Sequence, residues 1–363
     1  MSLCALDKFS NLINYYPAVY SGNPLNLLFL NDANKIDNIS QYFLKINQQV
    51  LMDEQREYFM ARDLIEGVNF PFPSYSIDRR PNPIDLSEVL FQKFDLAKKF
   101  IFTQDDIAER IIKLAQRNSP EVIVLILVDG LSYYDLPEQD GIEPCFVPGV
   151  SVTDFGFKTI IGKPSISNRL FFIGYKKQRA FSFFDYTNQL SGNINDGFSE
   201  AQYLRIREVS EIYNNLKHFR PKRDFIQIVI DGLDSLCHSH RDAPPIDYYK
   251  DRIVSCLDEI ESIFLSRKIS YQIHLVSDHG ILWHDSYEKF IVLDDLFPED
   301  STHPRYVKGT FNRMFGRISS SFGSNYTLFK APHISRNFRN NEWGMHGGIS
   351  AWESIVPFIT RVG

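Results

Sequence analysis

The chain has 363 residues, of which 44% are hydrophobic and 23% charged, a composition typical of a globular protein rather than a fibrous or disordered one. At roughly 150 residues per domain, this length predicts two domains or one large one. The formal net charge of −6 argues against a protein that coats nucleic acid through bulk electrostatics.

The sequence favours a reducing, cytoplasmic compartment. No apolar run approaches the roughly 20 residues that span a membrane, and the first residues, MSLCALDKFSNLINYY, lack the pattern of a signal peptide. Four scattered cysteines are too few for a disulfide scaffold, so we expect reduced and mostly buried thiols. Aromatic residues are abundant, with 30 Phe and 18 Tyr, which indicates a large core or a surface for a partner.

The first 115 residues form the less regular part of the sequence. The segment NLLFLND at 26–32 predicts one strand, and the prolines around residues 71–83 predict a loop or linker over 69–84. We therefore expect a smaller, mainly helical N-terminal region over 1–115, with no role that we can assign, before an α/β domain over 116–363.

From Glu121 onwards a repeated pattern is typical of an α/β fold, and a helix precedes it. The segment from Thr103 to Asn118 predicts an amphipathic helix. Short apolar runs that end in acidic residues predict strands buried on both faces. These runs lie at 121–130, 225–234 and 271–280, and a last one lies at 353–362. The last run contains a proline, which suits a strand edge or a strand start better than a strand centre.

The segment between the second and third strands predicts a helix with Asp247 as its N-cap. Its expected buried face consists of Ile253, Leu257, Ile260 and Phe264. Buried strands that alternate with helices predict a central, mostly parallel sheet flanked by helices. Ligands of such sheets bind at the carboxyl ends of the strands.

Carboxylates and imidazoles follow these predicted strands. Each motif by itself also fits a simple turn or a salt bridge, but together they form a set of metal ligands typical of Zn²⁺ or Mn²⁺. The set comprises Asp129, Asp234, His238, Asp278, His279 and the glycine-flanked His346. Six such residues exceed the needs of one tetrahedral ion, and two ions about 4 Å apart would suit phosphoryl transfer. His240 is a secondary candidate because it lies two residues beyond His238.

The order of these residues resembles that of the PglZ domain in the alkaline phosphatase superfamily. The most specific part is the segment HGGISAWESIVPFI near the C-terminus, which resembles the family's His-Gly-Gly-Ile/Leu-Ser segment followed by an acidic residue and Ile-Val-Pro. The resemblance covers residues 121–363 and implies an alkaline-phosphatase-like α/β fold.

The resemblance also implies roles for individual residues. One divalent ion would be held by Asp234, His238 and His346, and the other by Asp129, Asp278 and His279, together with the oxygen of a nucleophile. The nucleophile would follow the first strand, where Ser151 and Thr153 are both candidates. Thr153 fits the Ser-x-Thr motif of the family. In other members of the superfamily the nucleophile precedes a glycine by a fixed spacing, and the same spacing before Gly162 gives Val152, which lies between the two candidates. The resemblance further implies a covalent phosphoenzyme.

Two basic residues in the segment PRYVKG have two interpretations. Arg305 and Lys308 would neutralise the non-bridging oxygens of a phosphate, or they would belong to a solvated basic loop, which is the more common situation.

The resemblance predicts a metal-dependent phosphodiesterase that acts on nucleic acid or a nucleotide-like diester, together with other proteins of a prokaryotic anti-phage defence system. The alternatives within enzymes are a phosphomonoesterase and a sulfatase-like hydrolase. The non-enzymatic alternative is a degenerate PglZ module that binds a defence partner through the N-terminal region and aromatic surface. The six ligand-type residues favour an enzyme, and the ambiguous nucleophile favours the module.

Overall fold

The structure is a computed structural model that describes most of the chain from residue 80 onwards. The described residues are 19–20, 25, 74–75, 80–138, 141–239, 242, 244–293, 302–311 and 314–363. Two units can be distinguished, Met1–Phe102 and Thr103–Gly363. Among the described residues, no helix combines the length and the apolar character that crossing a membrane requires.

The described part of the first unit contains two short strands and two helices. The strands β1 (Val19–Tyr20) and β2 (Ser74–Tyr75) pair in parallel. The helices are α1 (Pro83–Gln92) and α2 (Phe94–Phe100). The predicted strand at 26–32 lies outside the described residues, as does most of the predicted linker.

A seven-stranded sheet forms the centre of the second unit. Its strands are β3 (Val122–Val128), β4 (Ile142–Phe146), β5 (Lys177–Ser182), β6 (Tyr203–Arg205), β7 (Asp224–Ile230), β8 (Tyr271–Ser277) and β17 (Ile355–Val362), in the order β4-β17-β8-β3-β7-β5-β6. Only β17 runs antiparallel to its neighbours in this sheet of described residues. A mostly parallel central sheet flanked by helices was the predicted fold class, which is confirmed.

The three central strands have the burial that their apolar runs predict. Every residue of β3, β7 and β8 is buried, because helices cover both faces of a parallel sheet. Their register is level at the carboxyl ends, since Val128 pairs with Ile230 on one side and with Ser277 on the other. The residues that follow these three strands therefore emerge at one edge of the sheet.

The last strand accommodates its proline near its start. Pro357 is paired with Pro144 of β4, and the pairing with β8 begins one residue later, at Phe358. No ladder hydrogen bond to β8 is therefore required from the nitrogen of the proline. This agrees with the expectation that the proline suits a strand start.

Two predicted helices are present. The first, α3 (Gln104–Asn118), begins after the N-cap Thr103, whose backbone nitrogen donates to Asp106 Oδ2 at 2.9 Å. The second predicted helix spans Ile246–Ser266 and buries the four residues expected to face the core. The prediction of Asp247 as its N-cap was wrong. Pro245 holds that position, and Asp247 lies in the first turn, where its carboxylate pairs with Lys250 at 2.8 Å.

The remaining helices surround the central sheet. They are α4 (Thr153–Ile161), α5 (Ile166–Phe172), α6 (Gln189–Ile194), α7 (Val209–Leu216), α8 (Asp234–Ser239), then the long helix Ile246–Ser266 as α9, and α10 (Ala351–Ser354). Two short 3₁₀ helices cover Tyr133–Asp135 and Glu200–Gln202.

A second, smaller sheet lies in the C-terminal third. It is antiparallel, in the order β11-β12-β14-β13, and comprises β11 (Thr302–His303), β12 (Tyr306–Lys308), β13 (Gly316–Ser321) and β14 (Ser324–Phe329). Two-residue strands form the pairs β9 (Leu282–Trp283) with β16 (Gly344–Met345), and β10 (Ile291–Val292) with β15 (His333–Ile334).

Candidate metal centre

The ends of the three central strands bring the predicted acidic residues together. Asp129 directly follows β3 and Asp278 directly follows β8, while Asp234 begins α8 shortly after β7. Close backbone contacts require glycine at two positions. A Cβ on Gly232 would lie 2.0 Å from the carbonyl oxygen of Asp129, and a Cβ on Gly156 would lie 2.3 Å from that of Asp278. The two glycines therefore allow the loop before α8 and the helix α4 to approach the strand ends.

One group of side chains, called here the Asp234 group, comprises Asp234, His238 and His346. Asp234 Oδ1 lies 3.4 Å from His238 Nε2 and 3.1 Å from His346 Nε2. The two imidazole nitrogens are 3.2 Å apart. Ligands about 2.0 Å from a tetrahedral zinc ion are separated by about 3.3 Å. The three atoms therefore have the spacing of three ligands around one ion.

A second group, the Asp129 group, comprises Asp129, Asp278 and His279. His279 Nε2 lies 3.7 Å from Asp129 Oδ1 and 3.6 Å from Asp278 Oδ2. Thr153, the first residue of α4, places its hydroxyl Oγ1 3.2 Å from both Asp129 Oδ1 and His279 Nε2. The hydroxyl oxygen of Thr153 therefore lies beside the Asp129 group, where it could act as a fourth ligand atom.

The backbone sets the tautomer of two of the imidazoles. His279 Nδ1 is 3.1 Å from the carbonyl oxygen of Gly280, and His346 Nδ1 is 3.1 Å from that of Ser151. Because a carbonyl oxygen only accepts, Nδ1 carries the proton in both rings. When the ring is neutral, each Nε2 therefore directs a lone pair into its group. A backbone partner that orients an imidazole in this way is usual around metal-binding histidines.

Burial makes the acidic residues of the Asp129 group hard to ionise. The pKa of Asp129 is raised well above its ordinary value by burial and by the charges of Asp278 and Asp234. Burial and the charge of Asp234 raise the pKa of Asp278 to about 7, despite backbone N–H donors from Gly130 and His279. The carboxylates of Asp129 and Asp278 have oxygens within 4.8 Å of each other. Two buried carboxylates this close need a nearby positive charge to be ionised at neutral pH.

The pKa values of His279 and His346 are shifted in opposite directions. Burial and the neighbouring His346 lower the pKa of His279 to about 3, so its ring is neutral. For His346, the charge of Asp234 outweighs burial and raises the pKa. Conversely, burial disfavours the charged form of Asp234, but the two histidines of its group outweigh burial and lower the pKa. A bound dication would replace this proton-dependent pairing, since ligands must be deprotonated to bind metal.

A buried, unpartnered oxygen supports the fit of a metal ion. Among the described residues, Asp278 Oδ2 accepts no hydrogen bond although it is fully buried. Carboxylate oxygens in such a position are otherwise almost always paired. Together with the imidazole nitrogens, the carboxylates of both groups form a donor set that fits Zn²⁺ or Mn²⁺.

The two groups are adjacent. The rings of His279 and His346 stack with their centroids 4.2 Å apart and their planes at 18°. In addition, donor atoms of Asp234, His279 and His346 all lie within 4.8 Å of one another. The structure therefore brings all six sequence-predicted ligand residues together, as two neighbouring groups that contact each other through the rings of His279 and His346. The further candidate His240 lies outside the described residues.

Ser151 holds the loop of His346. Its hydroxyl is fully buried, donates to the carbonyl oxygen of Gly348 at 3.0 Å and accepts from the backbone nitrogen of Gly347 at 3.0 Å. Its own carbonyl oxygen orients the imidazole of His346. The two nucleophile candidates thus have different surroundings, since only Thr153 directs its hydroxyl to the carboxylate of Asp129.

Both interpretations of Arg305 were wrong. Its side chain is fully buried in an ion pair with Glu353, with 2.9 Å from Nε to Oε1 and 2.7 Å from Nη2 to Oε2. Glu353 Oε1 also accepts from the backbone nitrogen of Gly348, two residues after His346. The acidic residue of the HGGISAWESIVPFI segment therefore fixes the loop that carries His346. Lys308 is exposed, and its role in neutralising phosphate remains a prediction.

A cavity of about 1230 Å³ adjoins the Asp234 group, whose His238 forms part of its wall. Val152, Asp154 and Phe155, around the hydroxyl-bearing Thr153, also line it. Sequence reasoning missed most of its residues, among them His303 and the segment Arg336–Glu342. His303 has no regular spacing from the other histidines. The only local signal that could have indicated it is its position between Thr302 and Pro304 in a polar segment.

No protein-family model matches the chain, and no curated protein matches it. Solved structures that are similar to the chain include phosphonoacetate hydrolase from Sinorhizobium meliloti 1021 in complex with phosphonoformate, at 13% identity and a TM-score of 0.46, covering 66% of this chain and 90% of that chain. Murine ectonucleotide pyrophosphatase/phosphodiesterase 5 is similar at 9% identity and a TM-score of 0.44, covering 65% and 87%. The C-terminal periplasmic domain of phosphoethanolamine transferase EptC from Campylobacter jejuni is similar at 11% identity and a TM-score of 0.37, covering 67% and 79%.

Proposed function

We propose that this chain is a metal-dependent phosphoric ester hydrolase that cleaves phosphodiesters with Thr153 as its nucleophile. The observation that carries the proposal is the position of Thr153 Oγ1, 3.2 Å from both Asp129 Oδ1 and His279 Nε2. Asp129 and His279 belong to the Asp129 group of candidate ligands, which with Asp278 adjoins the second group of Asp234, His238 and His346. An ordinary threonine in a turn would have no such surroundings.

The chemistry follows from the residues around the hydroxyl. Bound dications would favour the alkoxide of Thr153 and stabilise charge on the leaving oxygen. Thr153 Oγ1 donates a hydrogen bond to Asp129 Oδ1, which orients the hydroxyl, and its proton passes to water when the oxygen attacks. The Thr153 oxygen bonds to phosphorus while the bond to the leaving oxygen breaks, and the leaving alkoxide takes a proton from water. Water then hydrolyses the phosphothreonine, which releases the second product and restores the hydroxyl.

The cavity favours a diester over a monoester. It extends from His238 along a wall that includes Lys308 and Arg339, so it offers room and positive charge for a group on the far side of the phosphorus. We therefore propose nucleic acid or a nucleotide-like diester as the substrate, with zinc or manganese as the metal.

The biological setting of the proposal comes from the resemblance alone. The HGGISAWESIVPFI segment favours the PglZ type within the alkaline phosphatase superfamily. On this basis we propose a cytoplasmic component of a prokaryotic anti-phage defence system that acts with other defence proteins. The division into residues 1–115 and a catalytic domain over 116–363 belongs to the same proposal.

Turnover of synthetic esters tests the proposed activity. We expect the purified chain to release p-nitrophenol from bis-p-nitrophenyl phosphate faster than from p-nitrophenyl phosphate in the presence of Zn²⁺ or Mn²⁺. EDTA and the Asp278→Ala substitution should each abolish this release. A chain that turns over neither ester with any metal would fit the non-enzymatic module, and faster turnover of the monoester would fit a phosphomonoesterase.

A further inference from the structure

Aromatic side chains form one continuous wall of the cavity. Phe155, Tyr306 and Tyr326 all line it, and we call these three residues the aromatic wall. The rings of Phe155 and Tyr326 have centroids 5.3 Å apart, and those of Tyr306 and Tyr326 are 5.9 Å apart. Both contacts have the edge-to-face geometry that aromatic rings prefer.

The fold explains why these rings share one surface. Tyr306 and Lys308 alternate with the buried Val307 along β12 and thus lie on the same face of the small sheet. Lys308 is paired with Tyr326 of β14, which adds the second tyrosine to this face. Phe155 comes from α4, two residues after Thr153. The aromatic wall therefore joins the small sheet to the helix that carries the proposed nucleophile.

Ring contacts connect the aromatic wall to the Asp234 group. The ring of Tyr306 stacks on His303 with centroids 4.6 Å apart and planes at 17°. His303 in turn lies 5.5 Å from the ring of His346. A phosphate held at the Asp234 group would thus lie on the side of His303 that is next to the aromatic wall.

The other lining residues favour a polar planar ligand over an apolar one. Arg339, Asn340, Asn341 and Glu342 form another part of the cavity lining. Arg336 holds Glu342 in a bidentate ion pair at 2.7 and 2.8 Å. Amide and charged groups of this kind can hydrogen-bond the edge of a nucleobase, whereas a lipid chain offers them no hydrogen-bonding group.

We propose that the aromatic wall is a subsite that stacks a nucleobase of the substrate, next to the proposed metal centre. This inference rests on the proposed function and assigns its substrate class, a diester with a nucleoside on one side of the phosphorus. Stacking of a base on an aromatic side chain tolerates many sequences because every base has a π face. The subsite therefore selects nucleotide diesters without selecting one base.

Two diesters with the same leaving group test this subsite in the metal-loaded chain. Thymidine 5′-(p-nitrophenyl phosphate) carries a base, and ethyl p-nitrophenyl phosphate does not. We expect the Tyr326→Leu substitution to lower kcat/KM for the thymidine diester about tenfold and to leave the ethyl diester unchanged. Tyr326→Phe should keep the kcat/KM of the unchanged chain for the thymidine diester, since phenylalanine keeps the aromatic ring. Phe172→Leu is the matched control, because that ring on α5 is 86% exposed.

Equal kcat/KM for both diesters in the unchanged chain would overturn the subsite, as would an equal loss of kcat/KM for both diesters in Tyr326→Leu.

If neither diester is cleaved, the proposed function fails, and the binding of nucleotides then tests the subsite separately. Titration calorimetry with thymidine 5′-monophosphate and ethyl phosphate should give tighter binding of the nucleotide, lost in Tyr326→Leu. Equal binding of the two ligands would overturn the subsite in that case.

Discussion

Replacing Thr153 with alanine is expected to lower kcat for bis-p-nitrophenyl phosphate by more than ~10³-fold, because it removes the atom that bonds to phosphorus. Metal binding should change little, since the six proposed ligands remain in place. Thr153→Ser should keep much of the activity because it preserves a hydroxyl at the start of α4. The measurement is kcat in saturating Zn²⁺ or Mn²⁺, combined with mass spectrometry of acid-quenched enzyme to detect phosphothreonine.

Ser151→Ala is the matched control for this experiment. Its hydroxyl bonds to the backbone at Gly347 and Gly348, so its loss should loosen the loop of His346 and weaken metal binding at the Asp234 group. We therefore expect added metal to restore part of the activity of Ser151→Ala but none of that of Thr153→Ala. A phosphoserine at position 151, or phosphoenzyme in Thr153→Ala, would contradict the assignment of the nucleophile.

Asp278→Asn is expected to make the metal-free chain more stable at pH 8 while it abolishes metal-dependent activity. Because its pKa is raised to about 7, Asp278 contributes stability that is fully present below its ordinary pKa of 3.8 and is lost as the pH rises through 7. Asparagine carries no charge at any of these pH values. The expected gain at pH 8 is on the order of a few kcal/mol, measurable as an increase in the free energy of unfolding in EDTA.

Bound metal should make the unchanged chain more stable than Asp278→Asn at pH 8. Dications bind the ionised carboxylates, so we expect Zn²⁺ to raise the Tm of the unchanged chain more at pH 8 than at pH 5, and to leave Asp278→Asn nearly unaffected. Asp135→Asn is the control, since burial raises the pKa of Asp135 to about 6 at a position outside both metal groups. It should alter the pH dependence of stability without altering the response to Zn²⁺. A loss of stability at pH 8 in metal-free Asp278→Asn would contradict this account.

The sequence predicted those parts of the site that depend on local patterns. A buried strand that ends in Asp129 or in Asp278-His279 is recognisable because the apolar run and the strand end are contiguous in sequence. The four-residue spacing of Asp234 and His238 similarly predicted one helical face, and both lie in α8. Parallel pairing then brings these ends to one edge of the sheet without any further information.

The residues that sequence reasoning missed depend on long-range contacts. Arg305 looks like a solvent-exposed basic residue in its own segment, but the buried carboxylate of Glu353, 48 residues away, and several backbone carbonyl oxygens pair its buried guanidinium. The pairing of Lys308 with Tyr326 likewise depends on the antiparallel register of two strands. The N-cap of α9 was misassigned for a local reason, because Pro245 precedes an aspartate that is itself a common N-cap residue.

The metal content of the purified chain tests the central claim most directly. The chain should be incubated with Zn²⁺ or Mn²⁺, freed of excess metal by gel filtration, and analysed by inductively coupled plasma mass spectrometry. The account predicts about two ions per chain when both groups are filled, and a lower content in Asp278→Asn and in His346→Ala. A chain that retains neither zinc nor manganese, or variants that retain as much metal as the unchanged chain, would contradict it.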